Sequence, residues 1–284
     1  MAFRKIVDFI QVDVIVAMVI DSLRAKNVAM NVVSTWTQAQ LGQGSSYKVP
    51  GIVDMSVIDY NGTAFTPQDA VSAYVRILID KYPVIPFYLE GSDVSEANAL
   101  SVAMVWAERA AEQIASKIDK DVFTTIEGGA TASATILGST GAPITVTTGT
   151  QALDYVEAFV TTLREANVED NTAIVVPHYL GLKVAGEIGR TVNAQDLATQ
   201  GIQAGYINTI FGVDLYESNN LPTTSGVYSV VGGKRDDFAL IMGLTSVDSG
   251  DSEFRMASYT KMGQVYGAGF VNSAAWYKGA VKKS

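Results

Sequence analysis

The sequence contains no cysteine and only one histidine among its 284 residues. The absence of cysteine excludes disulfide bonds, thiolate zinc sites, cysteine nucleophiles and thiolate-ligated iron–sulfur clusters. A single histidine leaves no histidine cluster within the chain that could bind a metal ion. Composition alone therefore excludes several large classes of enzyme and metalloprotein.

Charged residues are also scarce, at 17% of the chain against about 25% in an average soluble domain. The formal net charge of −9 argues against general nucleic-acid binding, because such binding needs a basic face. Hydrophobic residues make up 48% of the chain, far too many for a disordered protein. A chain this apolar and this poor in charge must bury additional apolar surface somewhere.

Long hydrophobic runs are missing as well. The longest apolar stretch, residues 9–23, is interrupted by polar residues, and no run reaches the roughly 18 to 20 residues that a membrane-spanning helix needs. We predict an amphipathic N-terminal helix over residues 7–26 in a cytoplasmic, unprocessed protein, because early aspartates and the lack of a cleavage site argue against a signal peptide.

Residues 44–72 are predicted to form a long two-stranded hairpin. Apolar residues alternate along this segment, and Asn61-Gly62 is a dipeptide typical of a hairpin turn. Few other large apolar residues lie nearby, and an isolated two-stranded ribbon is only marginally stable in water. We therefore expect the hairpin to lie on a neighbouring surface.

The rest of the chain interleaves helices and strands. Apolar residues at helical spacing predict a long helix over 94–124, begun by a capping box of Asp93 and Glu96. Pro83 and Pro86 should keep the strand over 84–89 off the centre of a sheet. Residues 128–150 are predicted to be a loop with a short strand over 144–147. Further predicted helices are 151–166 and 178–188, and further predicted strands are 74–80, 172–177, 206–216, 227–231, 238–242, 254–260 and 264–270.

A search for catalytic motifs finds none. The Walker, G-x-S-x-G and H-E-x-x-H patterns are absent, and His178 is predicted to start a helix because it has no assignable nucleophile or carboxylate partner. Three glycines in that helix, Gly181, Gly186 and Gly189, are predicted to mark close packing. The acidic runs 236–237 and 248–253 lack the spacing of a calcium loop and are predicted to be turns. We predict no catalytic residue, no cofactor and no metal, which favours a structural or binding role.

The ordered set of segments resembles the major capsid protein of tailed bacteriophages, whose fold is shared with encapsulin-type shells and herpesvirus capsid floors. The most specific segment is 211–222, which has a glycine, a short strand, Ser-Asn and Leu-Pro. The other segments that carry the resemblance are 44–50, 57–62, 77–81, 93–126, 172–180 and 265–268.

This resemblance implies an α+β fold with an N-arm, an extended β-hairpin loop, a long spine helix, a peripheral domain and an axial domain. The implied division is 1–40 for the arm, 41–75 for the loop, 76–150 for the first part of the peripheral domain with the spine helix, 151–243 for the axial domain, and 244–284 for the closing peripheral segment.

The function that the resemblance implies is that of a non-enzymatic major capsid protein. Its copies would assemble into pentamers and hexamers and form an icosahedral head around double-stranded DNA. The implied partners are a separate scaffolding protein, since the short arm leaves no room for a fused one, together with decoration and portal proteins. The packaged DNA would be bound without sequence specificity, and no membrane would be bound. The implied location is the virion capsid, assembled in the host cytoplasm.

Seven residues are candidates for contacts between subunits. Some relatives cross-link Lys to Asn, and Lys48 lies in the matching loop, but no catalytic Glu or partner Asn can be assigned. For each candidate the alternative is packing within its own chain. The candidates are Phe9, Val14 and Met18 in the arm, and Tyr47, Lys48, Tyr60 and Phe65 in the hairpin.

Two other functions stay open at this point. An encapsulin-like cellular compartment would have the same fold, and its cargo would distinguish it from a virus shell. An acidic soluble hydrolase would need a pocket with close, inward-facing carboxylates.

Overall fold

The computed structural model describes residues 27–37, 46–50, 74–90, 96–191, 206–251 and 257–283. The predicted N-terminal helix, the capping residue Asp93 and the predicted hairpin turn at Asn61-Gly62 lie outside these residues. The mixture of helices and strands confirms the predicted α+β class.

The elements, in chain order, are numbered through the described residues. They are α1 (Ala29–Val32), β1 (Ser34–Thr37), β2 (Ser46–Pro50), β3 (Tyr74–Leu78), β4 (Val84–Glu90), α2 (Glu96–Gly129), β5 (Thr131–Ala132), α3 (Ala134–Leu137), β6 (Ile144–Val146), α4 (Gly149–Glu165), β7 (Thr172–Val176), α5 (His178–Thr191), β8 (Tyr206–Ile210), β9 (Val213–Glu217), β10 (Thr223–Thr224), β11 (Val227–Lys234), β12 (Phe238–Asp251), β13 (Ala257–Phe270) and β14 (Trp276–Lys283).

The larger of the two main sheets has eight strands. Its main path runs β5-β14-β11-β7-β9-β8, with β6 beside β14 and β10 beside β11. Every residue of β7 is buried, because the sheet is covered on both faces. Ala173 and Val175 pack with the long helix α2, whereas Ile174 and Val176 pack with α4 and α5. This alternation follows from the opposite directions of successive side chains in a strand.

A four-stranded sheet, in the order β1-β12-β13-β4, is the second main sheet. The strand β4 lies at the edge of this sheet, as the prolines predict. A proline has no backbone N–H group, so it cannot complete the hydrogen bonds of a central strand. The long helix α2 contributes a buried stripe that packs against this sheet and the eight-stranded one. Small residues in the stripe allow this close contact: Ala110, Ala111 and Ala115 are all buried.

Several predicted boundaries are wrong. Residues 206–216 form two antiparallel strands, β8 and β9, rather than one, because Phe211 and Gly212 make a turn with positive φ. The two strands predicted over 254–270 are one strand, β13. Residues 248–251 belong to β12 and are not a turn, since pairing with β13 continues through this polar stretch and outweighs its weak strand propensity.

Segments rich in small residues account for the elements that the sequence pattern missed. The predicted loop 128–150 contains β5 and α3 as well as the expected strand β6. The last strand, β14, was not predicted, and it pairs with β11 inside the eight-stranded sheet. Its buried Trp276 packs in the core beside α2.

The glycines of α5 differ in their surroundings. A Cβ atom on Gly181 would lie 2.8 Å from the Ile207 side chain and 2.9 Å from the Glu217 carboxylate, which confirms the predicted close packing there. A Cβ atom on Gly186 would meet nothing within 4 Å, so the prediction is wrong for that residue. For Gly189 it stays a prediction.

Candidate assembly surface

The two strands that flank the predicted extended loop, β2 and β3, form a two-stranded sheet of their own. Strands β2 and β3 pair antiparallel, and the register places Lys48 opposite Arg76. The predicted hairpin ends at residue 72, whereas the observed partner of β2 is β3, which begins at Tyr74. The residues between positions 50 and 74 are therefore flanked by two paired strands.

One face of this sheet is buried within the chain. Tyr47, Val49 and Ile77 form a small core with Ala239 and Ile241 of β12. Two-residue alternation puts these side chains on one face of the ribbon. The ribbon thus finds its missing core on the four-stranded sheet of the same chain.

The opposite face of the ribbon, which we call the outer hairpin face, consists of Lys48, Tyr74, Arg76 and Leu78. Tyr74 and Leu78 are 58% and 53% exposed, and the Lys48 Nζ atom lies 5.9 Å from the centroid of the Tyr74 ring. Lys48 and Arg76 form a cationic centre on this face, flanked by the exposed side chains of Tyr74 and Leu78. Like charges directly opposite each other disfavour strand pairing, and the chain as a whole has a net charge of −9.

Close backbone contact fixes the ribbon on the sheet. A Cβ atom on Gly267 would lie 2.1 Å from the Leu78 carbonyl oxygen, so only glycine allows β3 to cross β13 here. Polar contacts join the long helix α2 to β13 and to Lys81, which follows β3. The Tyr266 hydroxyl donates a hydrogen bond to Asp121, and the Lys81 Nζ atom lies 3.8 Å from the same carboxylate. Bonds from Lys117 and Tyr266 outweigh desolvation and lower the pKa of Asp121.

A buried carboxylate on α2 holds the segment that follows the N-terminal arm. Asp119 accepts hydrogen bonds from the backbone N–H groups of Val28, at 3.3 Å, and Ala29, at 2.9 Å. The Asn220 side chain donates to it at 3.3 Å. Burial raises the pKa of Asp119 to about 6, and the three hydrogen bonds oppose this rise. Asp119 therefore joins three segments that are distant in sequence.

The seven predicted interface residues fall into two groups. Tyr47 is buried within its own chain and Lys48 is exposed. Phe9, Val14, Met18, Tyr60 and Phe65 lie outside the described residues. The structure thus brings Tyr47 and Lys48 to opposite faces of one strand, and their role in assembly stays a prediction.

Two further polar pairs involve strand β9. The His178 Nδ1 atom lies 3.1 Å from the Glu217 carboxylate at the ends of two parallel strands, where both side chains are partly exposed. Arg235 pairs with Asp214 and lies over the Tyr216 ring.

In the described ranges, no group of three or more acidic or histidine side chains could hold a metal ion. Among the same residues, no helix is both long and apolar enough to cross a membrane.

Sequence reasoning missed several exposed apolar residues. The pattern of β3 could have revealed Tyr74 and Leu78, because they alternate with Val75 and Ile77, but which face is buried depends on the distant strand β12. No sequence signal gives the exposure of the others, which are Tyr82, Val84, Val105, Trp106, Ile136, Leu182 and Phe211.

Comparison with known proteins identifies related chains. The sequence pattern of a family described as phage capsid protein matches residues 93–279. Among solved structures, a chain from Mycobacterium phage Che8 is 20% identical, with a TM-score of 0.66, and the match covers 89% of this chain and 91% of that one. The capsid of Ralstonia phage GP4 is 10% identical, with a TM-score of 0.59 and coverage of 88% and 87%.

A third similar structure comes from an archaeon. The virus-like particle from Pyrococcus furiosus is 10% identical, with a TM-score of 0.59, over 94% of this chain and 98% of that chain. None of the curated proteins matches this chain. At these identities the structural matches establish the fold, which is the one that the sequence resemblance implied.

Proposed function

Because this chain belongs to the phage capsid protein family, it is a major capsid protein whose copies form the shell of a tailed phage, and we propose that rings of five and six copies build an icosahedral head around double-stranded DNA. The observation that carries this function is the family match, which spans α2 and most of both sheets. The surplus of apolar residues in a charge-poor chain supports it, since permanent subunit interfaces are apolar at their centre.

Assembly of the full chain into particles tests this function. We expect the protein, expressed with a scaffolding protein encoded beside it, to give closed icosahedral particles in electron micrographs. Rings or irregular shells are expected without the scaffold. A protein that remains monomeric under all of these conditions would contradict the proposal, and particles filled with an enzyme cargo rather than DNA would favour a cellular compartment.

The partners and location follow from the same proposal. We propose assembly in the host cytoplasm around a separate scaffolding protein, with portal and decoration proteins as further partners, and no enzymatic activity. The negative charge of the subunit suits a container that holds DNA without sequence-specific contacts, because phosphate groups bind tightly only to basic surfaces.

The predicted domain boundaries can be revised according to which sheet each strand belongs to. Strand β14 pairs with β11, and β12 pairs with β13 of the other sheet. We propose that the axial domain comprises the eight-stranded sheet, so that it includes β5, β6 and β14 as well as the elements from α4 to β11. The peripheral domain would then comprise the four-stranded sheet and α2.

Lys48, on the outer hairpin face, is predicted to contact a neighbouring subunit. We expect Lys48→Ala to leave the free energy of unfolding almost unchanged, because the side chain is exposed and faces the like charge of Arg76. Particle yield, measured by sedimentation, should fall severalfold if Lys48 contacts an acidic surface of a neighbouring subunit. Lys282→Ala, at an exposed lysine of β14, is the matched control. Equal yields from both variants would remove Lys48 from the interface.

A further inference from the structure

The turn between β8 and β9 has a backbone conformation that does not suit its residue. Phe211 has a φ of 53° and Gly212 a φ of 81°, as in tight hairpin turns that favour Asn-Gly or Asp-Gly. The other described non-glycine residues with positive φ are Asn167, Asn171 and Ser225, which are small and polar. The left-handed region is unfavourable for a bulky aromatic side chain.

The surrounding structure holds this turn in place. An Arg164 guanidinium group on α4 donates a hydrogen bond to the Phe211 carbonyl oxygen. The flanking residues Ile210 and Val213 pair with each other and are buried. The strained conformation is thus imposed by neighbours on both sides, which is how such conformations persist in folded proteins.

Core packing does not explain the phenylalanine. Its side chain is 44% exposed, and the burial at this end of the sheet comes from Ile210 and Val213. An asparagine would suit the backbone better, so relief of strain would offset the contacts that the ring loses. Exposed aromatic residues held rigidly at a projecting point are typical of residues that become buried in a partner.

We propose that Phe211 is an anchor residue that inserts into a second copy of this chain within the shell, an inference that rests on the proposed function. Closed rings of identical subunits join two different surfaces of the same chain, so a projecting aromatic group on one copy can enter a recess on the next. Charge supports a second copy as the occupant. Arg164 lies beside the turn, and a neighbouring copy with a net charge of −9 offers many carboxylates.

Replacement of Phe211 by asparagine separates this role from a structural one, because a structural role predicts a clear loss of stability and the proposed role does not. For Phe211→Asn we expect the thermal unfolding midpoint of the unassembled protein to change by less than about 2 °C, since relief of backbone strain offsets the contacts that the ring loses. The concentration needed for assembly, measured by light scattering and sedimentation, should rise about tenfold. Phe211→Tyr should assemble like the wild type.

Leu182→Asn serves as the matched control, because Leu182 is an even more exposed apolar residue on α5 without unusual backbone geometry. It should change the assembly concentration far less than Phe211→Asn. An unfolding midpoint lowered by clearly more than about 2 °C for Phe211→Asn, or unchanged assembly of this variant beside normal wild-type particles, would overturn the inference alone. A wild-type chain that never forms particles would instead contradict the proposed function, and this inference with it.

Discussion

Replacing Gly267 by alanine is expected to lower the free energy of unfolding by about 3 kcal/mol. The new Cβ atom would lie 2.1 Å from the Leu78 carbonyl oxygen, 2.9 Å from the Leu78 carbonyl carbon and 3.0 Å from the Ile79 Cα atom. All three are backbone atoms, so no side-chain rotation can relieve the clash. The ribbon of β2 and β3 must then separate from β13.

This separation should also impair assembly. The small core of Tyr47, Val49 and Ile77 depends on contact with β12, and β2 and β3 flank the segment predicted to be the extended loop. We expect Gly267→Ala to reduce particle yield more strongly than its loss of stability alone would, because β2, β3 and the outer hairpin face would be displaced. Urea unfolding and sedimentation of particles measure the two effects separately.

Two other glycines provide graded controls. At Gly263 the nearest atoms belong to the far end of the exposed Tyr82 ring, which can move aside, so Gly263→Ala should cost clearly less. Gly186→Ala adds a methyl group in open space within α5 and should stabilise the protein by about 0.5 to 1 kcal/mol. If Gly267→Ala were as stable as Gly263→Ala, the tight crossing of β3 over β13 would be wrong.

The sequence was sufficient for elements whose signal is local. Apolar residues at helical spacing predicted α2 because its buried stripe runs without interruption from Ala110 to Ile126. Prolines placed β4 at an edge because a missing N–H group acts wherever the strand lies. The family resemblance followed from the order of such elements, and so the fold and the function could both be predicted.

Features that depend on distant pairing could not be predicted. The turn predicted at Asn61-Gly62 places the partner of β2 near residue 75, but it does not fix the exact register, which pairs Lys48 with Arg76. The opposition of Lys48 and Arg76 follows only from this register. Likewise, the sequence around Asp119 reads as an ordinary polar position on a helix, and its burial depends on Val28 and Ala29, about 90 residues away.

Asp119→Ala is the second change with a large expected effect. It removes the acceptor of two buried backbone N–H groups, and unsatisfied buried donors cost about 1 to 3 kcal/mol each. We expect a loss of about 3 kcal/mol in the free energy of unfolding at pH 4.5, measured by urea unfolding. Hydrogen exchange should show the greatest loss of protection at α1, since this carboxylate holds its first turn. Asp154→Ala, at an exposed aspartate of α4, should change little.

The loss should depend on pH, in a direction that the burial of Asp119 determines. Its pKa rises from 3.8 to about 6 on folding, so folding favours the protonated carboxyl group. The stability gained from that form is fully present below pH 3.8 and is lost as the pH rises through 6, a change of roughly 3 kcal/mol in total.

Between pH 4.5 and pH 7 the wild type should therefore lose roughly 2 kcal/mol that Asp119→Ala and Asp119→Asn do not lose. The difference between the wild type and either variant isolates this carboxylate from the other titrating groups. Asp119→Asn keeps an amide oxygen that can accept from Ala29 and should be the more stable of the two. The free energies of unfolding of the wild type and the variants could instead differ by a constant amount across this pH range. Asp119 would then titrate near its ordinary pKa, and solvent would reach this carboxyl group between α1, α2 and Asn220.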